Sequence, residues 1–187
     1  MHRLFRKEEI LTIPNLLSIV RLLLIPLIVW LYVTLERPYL AVGAIVLSGL
    51  TDILDGYIAR HYDMVSDFGK ILDPIADKLT QLALIICLSS RYSTINYLLA
   101  LFVVKEIIMA ISGWMVIRKK DSVHSSQWFG KATTALLYAT VVLLFLFPEL
   151  PAVWANALFV LCGGMILLTM VKYLLYYRSL FNTELPE

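Results

Sequence analysis

Long apolar stretches alternate with short polar segments along the whole chain. About 20 residues of α-helix cross a bilayer core of roughly 30 Å. Six stretches have this length: residues 13–35, 38–60, 68–89, 94–117, 126–147 and 153–176. Helix-start signals agree, since Pro14 suits a first turn and Ser66 or Asp67 can cap the third stretch. The pattern predicts an all-α bundle of six transmembrane helices, formed by a single domain over residues 1–187.

Composition points to the same class of protein. Of 187 residues, 60% are hydrophobic and 16% charged, with a mean hydropathy of +0.80. A soluble domain is about half apolar and a quarter charged. The net charge of +2, with no basic run among aromatics, gives no sign of a nucleic-acid partner. Cys87 and Cys162 lie in apolar segments, where they are expected to be small buried hydrophobes.

The basic residues predict the orientation of the helices. One side of the membrane would carry Arg3, Arg6, Lys7, Arg60, Lys70, Arg118, Lys119, Lys120, Lys131 and Arg178. The other side would carry only Arg37 and Arg91. Because cytoplasmic loops are enriched in Lys and Arg, both termini are expected in the cytoplasm. Residues 1–9 are charged and precede a long apolar segment, so we expect a short amphipathic segment on the membrane surface there.

Four carboxylates stand out because they lie within apolar stretches. Asp52 and Asp55 share one face of the second predicted helix, and Asp73 and Asp77 share one face of the third. An ionised carboxylate in a membrane is costly unless it is compensated. Hard oxygen ligands suit magnesium, manganese or calcium better than zinc, and no His or Cys joins the group. These acids are therefore candidate ligands of divalent metal.

Other interpretations of the four acids are a solvated helix face and a cation channel or carrier. Gly56, Ala59 and Gly69 lie in register with the acids and add space rather than charge. Arg60 follows at the margin of the face, and an arginine would oppose cation passage. The combination favours a pocket for a metal-bridged phosphate. A divalent-cation transport protein remains the alternative from another class.

The motif formed by these residues is Asp-x-x-Asp-Gly-x-x-Ala-Arg, eight residues, then Gly-x-x-x-Asp-x-x-x-Asp, over residues 52–77. In every fixed position it resembles the signature of the CDP-alcohol phosphatidyltransferase family. The resemblance extends to Thr12–Asn15 with Arg21 and to Gly130 with Lys131. It implies a homodimeric six-helix membrane enzyme in the bacterial inner (cytoplasmic) membrane, with its active site facing the cytoplasm. Such enzymes transfer a phosphatidyl group from CDP-diacylglycerol to an alcohol and release CMP.

The resemblance also implies roles for individual residues. Asp52, Asp55 and Asp73 would bind the metal that holds the donor diphosphate. Asp77 would bind a second metal and act as the catalytic base, so two ions, Mg²⁺ or Mn²⁺, are expected. The expected donor-binding residues are Gly56, Ala59, Arg60, Ser66, Gly69 and Asn15.

The acceptor alcohol stays open between two molecules. Lys105 and Lys131 occupy positions where relatives hold a phosphorylated acceptor, which favours glycerol 3-phosphate. An arginine expected near Gly113 is absent, which suits phosphatidylglycerol as acceptor instead. Lys105 and Glu106 are adjacent on a helix and point apart, so we do not expect them to pair with each other. Either could pair with Arg21 or line the cavity.

Overall fold

The computed structural model describes residues 12–64, 66–120 and 128–182, and this part of the chain is helical without strands. It contains six long helices at the predicted positions. They are α1 (Ile13–Val29, continued by a π-helical turn at Trp30–Thr34), α2 (Pro38–His61), α3 (Asp67–Ser89), α4 (Ile95–Lys120), α5 (Trp128–Leu146) and α6 (Ala152–Asn182). The prediction of an amphipathic N-terminal segment falls outside the described residues.

Five of these helices are long and apolar enough to cross a membrane. They are α1 with its π-helical turn, α2, α4, α5 and α6. The helix outside this set is α3, whose sequence carries Asp67, Lys70, Asp73, Asp77 and Lys78. Large apolar side chains such as Leu23, Ile53 and Val160 lie exposed on the apolar helices. Such a surface is suited to lipid rather than to water.

The described chain falls into two compact units. The first comprises α1, α2, α3 and Val142–Pro148 at the end of α5. Within it α1 packs against both α2 and α3. Ile28, Leu84 and Leu88 are fully buried, and the ring of Tyr32 stacks on Phe145 with 3.8 Å between centroids. Helix α1 is therefore the element that joins the two helices bearing the aspartates.

The second unit comprises α4, residues 128–141 of α5, and α6. Here α4 packs against α6. Small polar side chains link α5 to α6: the hydroxyl oxygens of Thr133 and Thr169 lie 2.6 Å apart, and Thr140 Oγ1 lies 3.3 Å from Cys162 Sγ. Such neutral pairs satisfy hydrogen-bonding groups inside an apolar bundle. Cys87 and Cys162 are both buried and unpaired as thiols, as expected from the sequence.

Candidate active site

A polar stripe on α1 faces the two aspartate-bearing helices. Asn15, Ser18 and Arg21 are three residues apart and are 1%, 0% and 2% exposed. This spacing places them on one side of a helix. Pro14 lies in the first turn of α1, where its missing N–H breaks no helical hydrogen bond. The stripe brings a cation and a hydroxyl into the first unit's interior.

Arg21 contacts both acids of α2. Its Nη1 lies 2.7 Å from Asp52 Oδ1, and its Nη2 donates a hydrogen bond to Asp55 Oδ2. The side chain of Asp55 is only 4% exposed, whereas that of Asp52 is 54% exposed. One acid of the pair is therefore buried against Arg21, and the other is open at the surface of the first unit.

Ser18 connects the acids of different helices. Its Oγ lies 3.3 Å from Asp55 Oδ2 and donates a short hydrogen bond to Asp73 Oδ1. A hydroxyl carries one proton, so it serves one of the two carboxylates at a time. Ser18 thus lies between α2 and α3 and brings Asp55 and Asp73 close to one another.

Asp77 lies one helical turn beyond Asp73 on α3. Its Oδ2 accepts a hydrogen bond of 2.9 Å from Gln81 Nε2, and Gln81 is itself 1% exposed. The negative charges of Asp73 and Asp77 both act on Asp52. All four carboxylates therefore lie close enough to interact electrostatically, and Arg21 is a nearby positive charge.

The donor set suits a hard divalent cation. Carboxylate oxygens are the ligands that Mg²⁺ and Mn²⁺ prefer, and four acids exceed the charge of a single arginine. Within the described residues, no three Asp, Glu, His or Cys side chains form a ready-made metal site as they stand. The acids of α2 instead turn toward Arg21. The four aspartates are therefore suited to bind a metal because of their oxygen ligands and their proximity. Arg21 lies beside two of them as a cation.

Ser66, Asn15 and Gly69 form a tight cluster where α3 begins. Ser66 caps the helix, its Oγ accepting a 2.9 Å hydrogen bond from Gly69 N and donating at 3.1 Å to Asn15 Oδ1. A Cβ on Gly69 would lie 2.6 Å from Asn15 Oδ1, closer than real contacts allow. The absence of a side chain at Gly69 therefore makes room for the Asn15 amide of α1. Of the two predicted caps, Ser66 and Asp67, the structure shows Ser66.

The remaining predicted donor residues lie at the last turns of α2. Arg60 is exposed, and Gly56 and Ala59 are partly exposed. A Cβ on Gly56 would lie 3.3 Å from Arg60 Nη1, so the guanidinium folds back over the glycine. The ring of His61 stacks on Tyr57 at 5.3 Å and is exposed. The space beside Gly56 is thus bordered by the guanidinium of Arg60, at the end of a long side chain.

The two predicted acceptor lysines lie in the second unit. Lys131 is exposed in the first turns of α5. Lys105 Nζ forms an ion pair with Glu106 Oε1 and lies 5.4 Å from the centre of the Phe102 ring. Our expectation that Lys105 and Glu106 would not pair is wrong. Both side chains are long and only partly buried, so they can bend toward each other, and each charge is compensated by the other.

Sequence reasoning missed three structural roles. It did not foresee Ser18 between Asp55 and Asp73, Arg21 across the acids of α2, or Gln81 on Asp77. The spacing of Asp77 and Gln81 (i, i+4) was an available signal, because such pairs are neighbours on a helix. The roles of Ser18 and Arg21 needed the packing of α1, which no local pattern gives.

These features define a class: a helical membrane protein whose first unit gathers carboxylates, an arginine and a capped helix start around one polar region. Comparison with known families makes the assignment specific. The sequence profile of the CDP-alcohol phosphatidyltransferase family matches residues 11–176. The chain belongs to this family and is a transferase of phospholipid biosynthesis. Enzymes of the family generally use divalent metal ions.

Two similar curated proteins match over nearly their whole length. The CDP-diacylglycerol–glycerol-3-phosphate 3-phosphatidyltransferase of Pseudomonas fluorescens is 32% identical over 88% of this chain and 89% of its own. The protein of that name from Escherichia coli K12 is 32% identical over 89% of this chain and 95% of its own. The chain is therefore similar in size and sequence to this type of enzyme.

Relatives with another name match less of their own length. The CMP-forming cardiolipin synthase of Streptomyces coelicolor is 33% identical over 73% of this chain and 66% of its own. A cardiolipin synthase–hydrolase fusion protein of Schizosaccharomyces pombe is 39% identical over 62% of this chain, but the match spans only 19% of that protein. The similarity thus extends to two branches of the family.

Proposed function

We propose that this protein transfers the phosphatidyl group of CDP-diacylglycerol to glycerol 3-phosphate and releases CMP. The acceptor hydroxyl oxygen forms a bond to the phosphorus that carries the diacylglycerol. The bond from that phosphorus to the oxygen of CMP breaks, and CMP leaves with the electron pair. The product is phosphatidylglycerophosphate. The observation that carries the proposal is the gathering of the signature aspartates around Ser18 and Arg21 in the first unit.

The carboxylates divide the chemical work between them. Asp52, Asp55 and Asp73 would hold the ion on the donor side, and Asp77 would hold a second ion, each Mg²⁺ or Mn²⁺. A bound divalent ion supplies positive charge that neutralises diphosphate oxygens and stabilises the leaving CMP. Asp77 accepts the proton of the acceptor hydroxyl as general base. Its hydrogen bond from Gln81 occupies one oxygen and orients the other.

The donor nucleotide is bound at the facing ends of α2 and α3. Gly56 and Ala59 lack bulk, and the exposed Arg60 beside Gly56 can turn toward the diphosphate. Ser66 and Gly69 fix the start of α3 against Asn15 of α1. A helix N-terminus of this kind favours negatively charged groups such as phosphates. The proposed donor site thus rests on the positions of these residues and on the chemistry of their side chains.

Glycerol 3-phosphate is the favoured acceptor because the relatives that match nearly end to end are named for it. Lys131 and Lys105 are the cations assigned to its phosphate. Lys131 is exposed, and Lys105 is already paired with Glu106. Lys131 is therefore the lysine expected to contribute more.

A second candidate acceptor is phosphatidylglycerol, which would make the product cardiolipin. The specific observation behind it is the similarity to the Streptomyces coelicolor and Schizosaccharomyces pombe proteins. The absence of an arginine near Gly113 also suits a lipid acceptor held without several cations.

The proposal includes the cellular setting. One functional domain works as a homodimer in the bacterial cytoplasmic membrane, surrounded by lipids. Six spans, with α3 included, place both termini and the aspartates at the cytoplasmic side. An amphipathic segment at the N-terminus lies on that surface. The distribution of basic residues supports this orientation.

An acceptor panel tests the function directly. Purified protein receives CDP-diacylglycerol and Mg²⁺ together with glycerol 3-phosphate, phosphatidylglycerol, serine or inositol phosphate. CMP is quantified, and the lipid products are identified by mass. We expect CMP and phosphatidylglycerophosphate with glycerol 3-phosphate, and background in the chelated control. Cardiolipin as the product would establish the second candidate. No CMP above the chelated control with any acceptor would overturn the proposed function.

A further inference from the structure

Arg21 is a buried cation within a membrane-spanning helix. It is 2% exposed, and α1 around it carries mostly apolar residues. A charge in this position is costly unless opposite charge lies close by. Asp52 and Asp55 provide that charge, through one contact to each of two guanidinium nitrogens. The contacts fix Arg21 between two of the proposed metal ligands.

Three of the four carboxylates, those of Asp52, Asp55 and Asp73, are each contacted from α1 through a single oxygen. Arg21 contacts Asp52 Oδ1 and Asp55 Oδ2, and Ser18 contacts Asp55 Oδ2 and Asp73 Oδ1. The second oxygen of each of these acids is outside the contacts with Arg21 and Ser18. Helix α1 therefore contacts Asp52, Asp55 and Asp73 through one carboxylate oxygen each, and the other oxygen of each lies outside these contacts.

We propose that Arg21 is a resident counter-ion of the acid pair. It neutralises and positions Asp52 and Asp55 whether or not a divalent ion is bound, so that the first unit stays folded while the site is empty of ion. Arg21 is thus a positioning residue that acts through the two acids. The inference rests on the proposed function in assuming that Asp52 and Asp55 bind divalent metal.

The geometry calls for arginine rather than lysine. Two separate nitrogens of one planar guanidinium meet two different carboxylates. A lysine ammonium is a point charge on a flexible stem and does not present this fork. Arg21→Lys should therefore keep the charge while loosening the arrangement of the acids.

The test measures thermal unfolding with and without divalent ion. Wild type, Arg21→Gln and Arg21→Lys are purified in detergent, and Tm is recorded in chelator and in saturating Mg²⁺ or Mn²⁺. In chelator Arg21→Gln should unfold roughly 10 °C below wild type, because two acids lose their cation. Added ion should raise its Tm by more than it raises that of wild type. Arg21→Lys should fall between the two.

Arg37→Gln is the matched control, since Arg37 is exposed just before α2 and its ion-induced shift should equal that of wild type. An equal loss of Tm for Arg21→Gln in chelator and in ion would show a packing role alone and overturn the proposal. If Arg21→Gln does not accumulate, Arg21→Lys decides: an ion-induced shift no larger than that of wild type contradicts the proposal.

This readout uses no donor and no acceptor lipid. A protein inactive with every acceptor can still show the expected ion dependence of Arg21→Gln, in which case only the proposed function fails. An active enzyme whose Arg21→Gln variant loses stability equally under both conditions refutes the role of Arg21 alone.

Discussion

The two units of the molecule bury polar groups of different kinds. In the first unit, Arg21 and Ser18 of α1 contact aspartates of α2 and α3. In the second unit, the buried polar contacts between α5 and α6 are neutral: Thr133 meets Thr169, and Thr140 meets Cys162. Neutral pairs in membrane bundles average about 0.6 kcal/mol. Charges are far more costly to bury, so a linked group of them indicates a functional site.

The proposed function accordingly gives the chemistry mainly to the first unit and packing mainly to the second. Lys131 and Lys105 are the charged residues of the second unit to which the proposed function gives a part. Variants can test each side of this comparison.

The largest effect is expected for Asp77→Asn. Asparagine keeps the shape and an oxygen for the hydrogen bond from Gln81, but it does not accept the acceptor's proton. Turnover should fall about a thousandfold or more, while CDP-diacylglycerol binding should change only slightly. Initial CMP release and donor-binding titration measure the two quantities.

Asp63→Asn is the control for Asp77→Asn. Asp63 is exposed between α2 and α3 with φ of 54°, a conformation that asparagine accepts readily. This variant should behave as wild type. If Asp77→Asn lost donor binding and turnover to the same extent, Asp77 would be a ligand for the donor-side ion rather than the base.

A smaller but still clear effect is expected for Gly69→Ala. The new Cβ would lie 2.6 Å from Asn15 Oδ1, so the buried Asn15 side chain must move, which disturbs the hydrogen bond that it accepts from Ser66. The loss of stability should be about 1–3 kcal/mol, with reduced activity, measured by unfolding and by CMP release. Gly49→Ala is the matched control, because nothing lies within 4 Å of its added Cβ. That variant should be neutral or up to about 1 kcal/mol more stable. Equal behaviour of both variants would contradict the close contact between Gly69 and Asn15.

The smallest effect is expected in the second unit, for Lys131→Ala. If Lys131 contacts the acceptor phosphate as proposed, its removal should raise KM for glycerol 3-phosphate about tenfold and leave kcat nearly unchanged. Lys131→Arg should restore much of the affinity, and Arg91→Ala, exposed between α3 and α4, should have no effect. An unchanged KM in Lys131→Ala would confine acceptor recognition to other residues.

Much of the fold followed from the sequence because hydrophobic length is a strong signal. Each predicted stretch contains a helix whose ends lie within a few residues of the prediction, apart from the C-terminal extension of α6 to Asn182. The sequence also limited the cap of α3 to Ser66 or Asp67, and the structure shows Ser66. The spacing of the aspartates gave the faces of α2 and α3, since helical periodicity is local.

The contacts of α1 were not predictable in the same way. Which acids Arg21 meets depends on how α1 lies against two other helices, and sequence spacing does not contain that information. For Lys105 and Glu106, a local rule gave a prediction that the structure contradicts. The rule that adjacent helical residues point apart overlooked the reach of two long side chains in apolar surroundings.

The central claim is that the aspartates of α2 and α3, held by α1, bind divalent cation. Mn²⁺ titration of the purified protein, followed by electron paramagnetic resonance, tests it most directly. Wild type and Asp63→Asn should bind Mn²⁺ alike, and Asp73→Asn should bind it at least about tenfold more weakly. Equal binding of Mn²⁺ by wild type and Asp73→Asn would contradict the account.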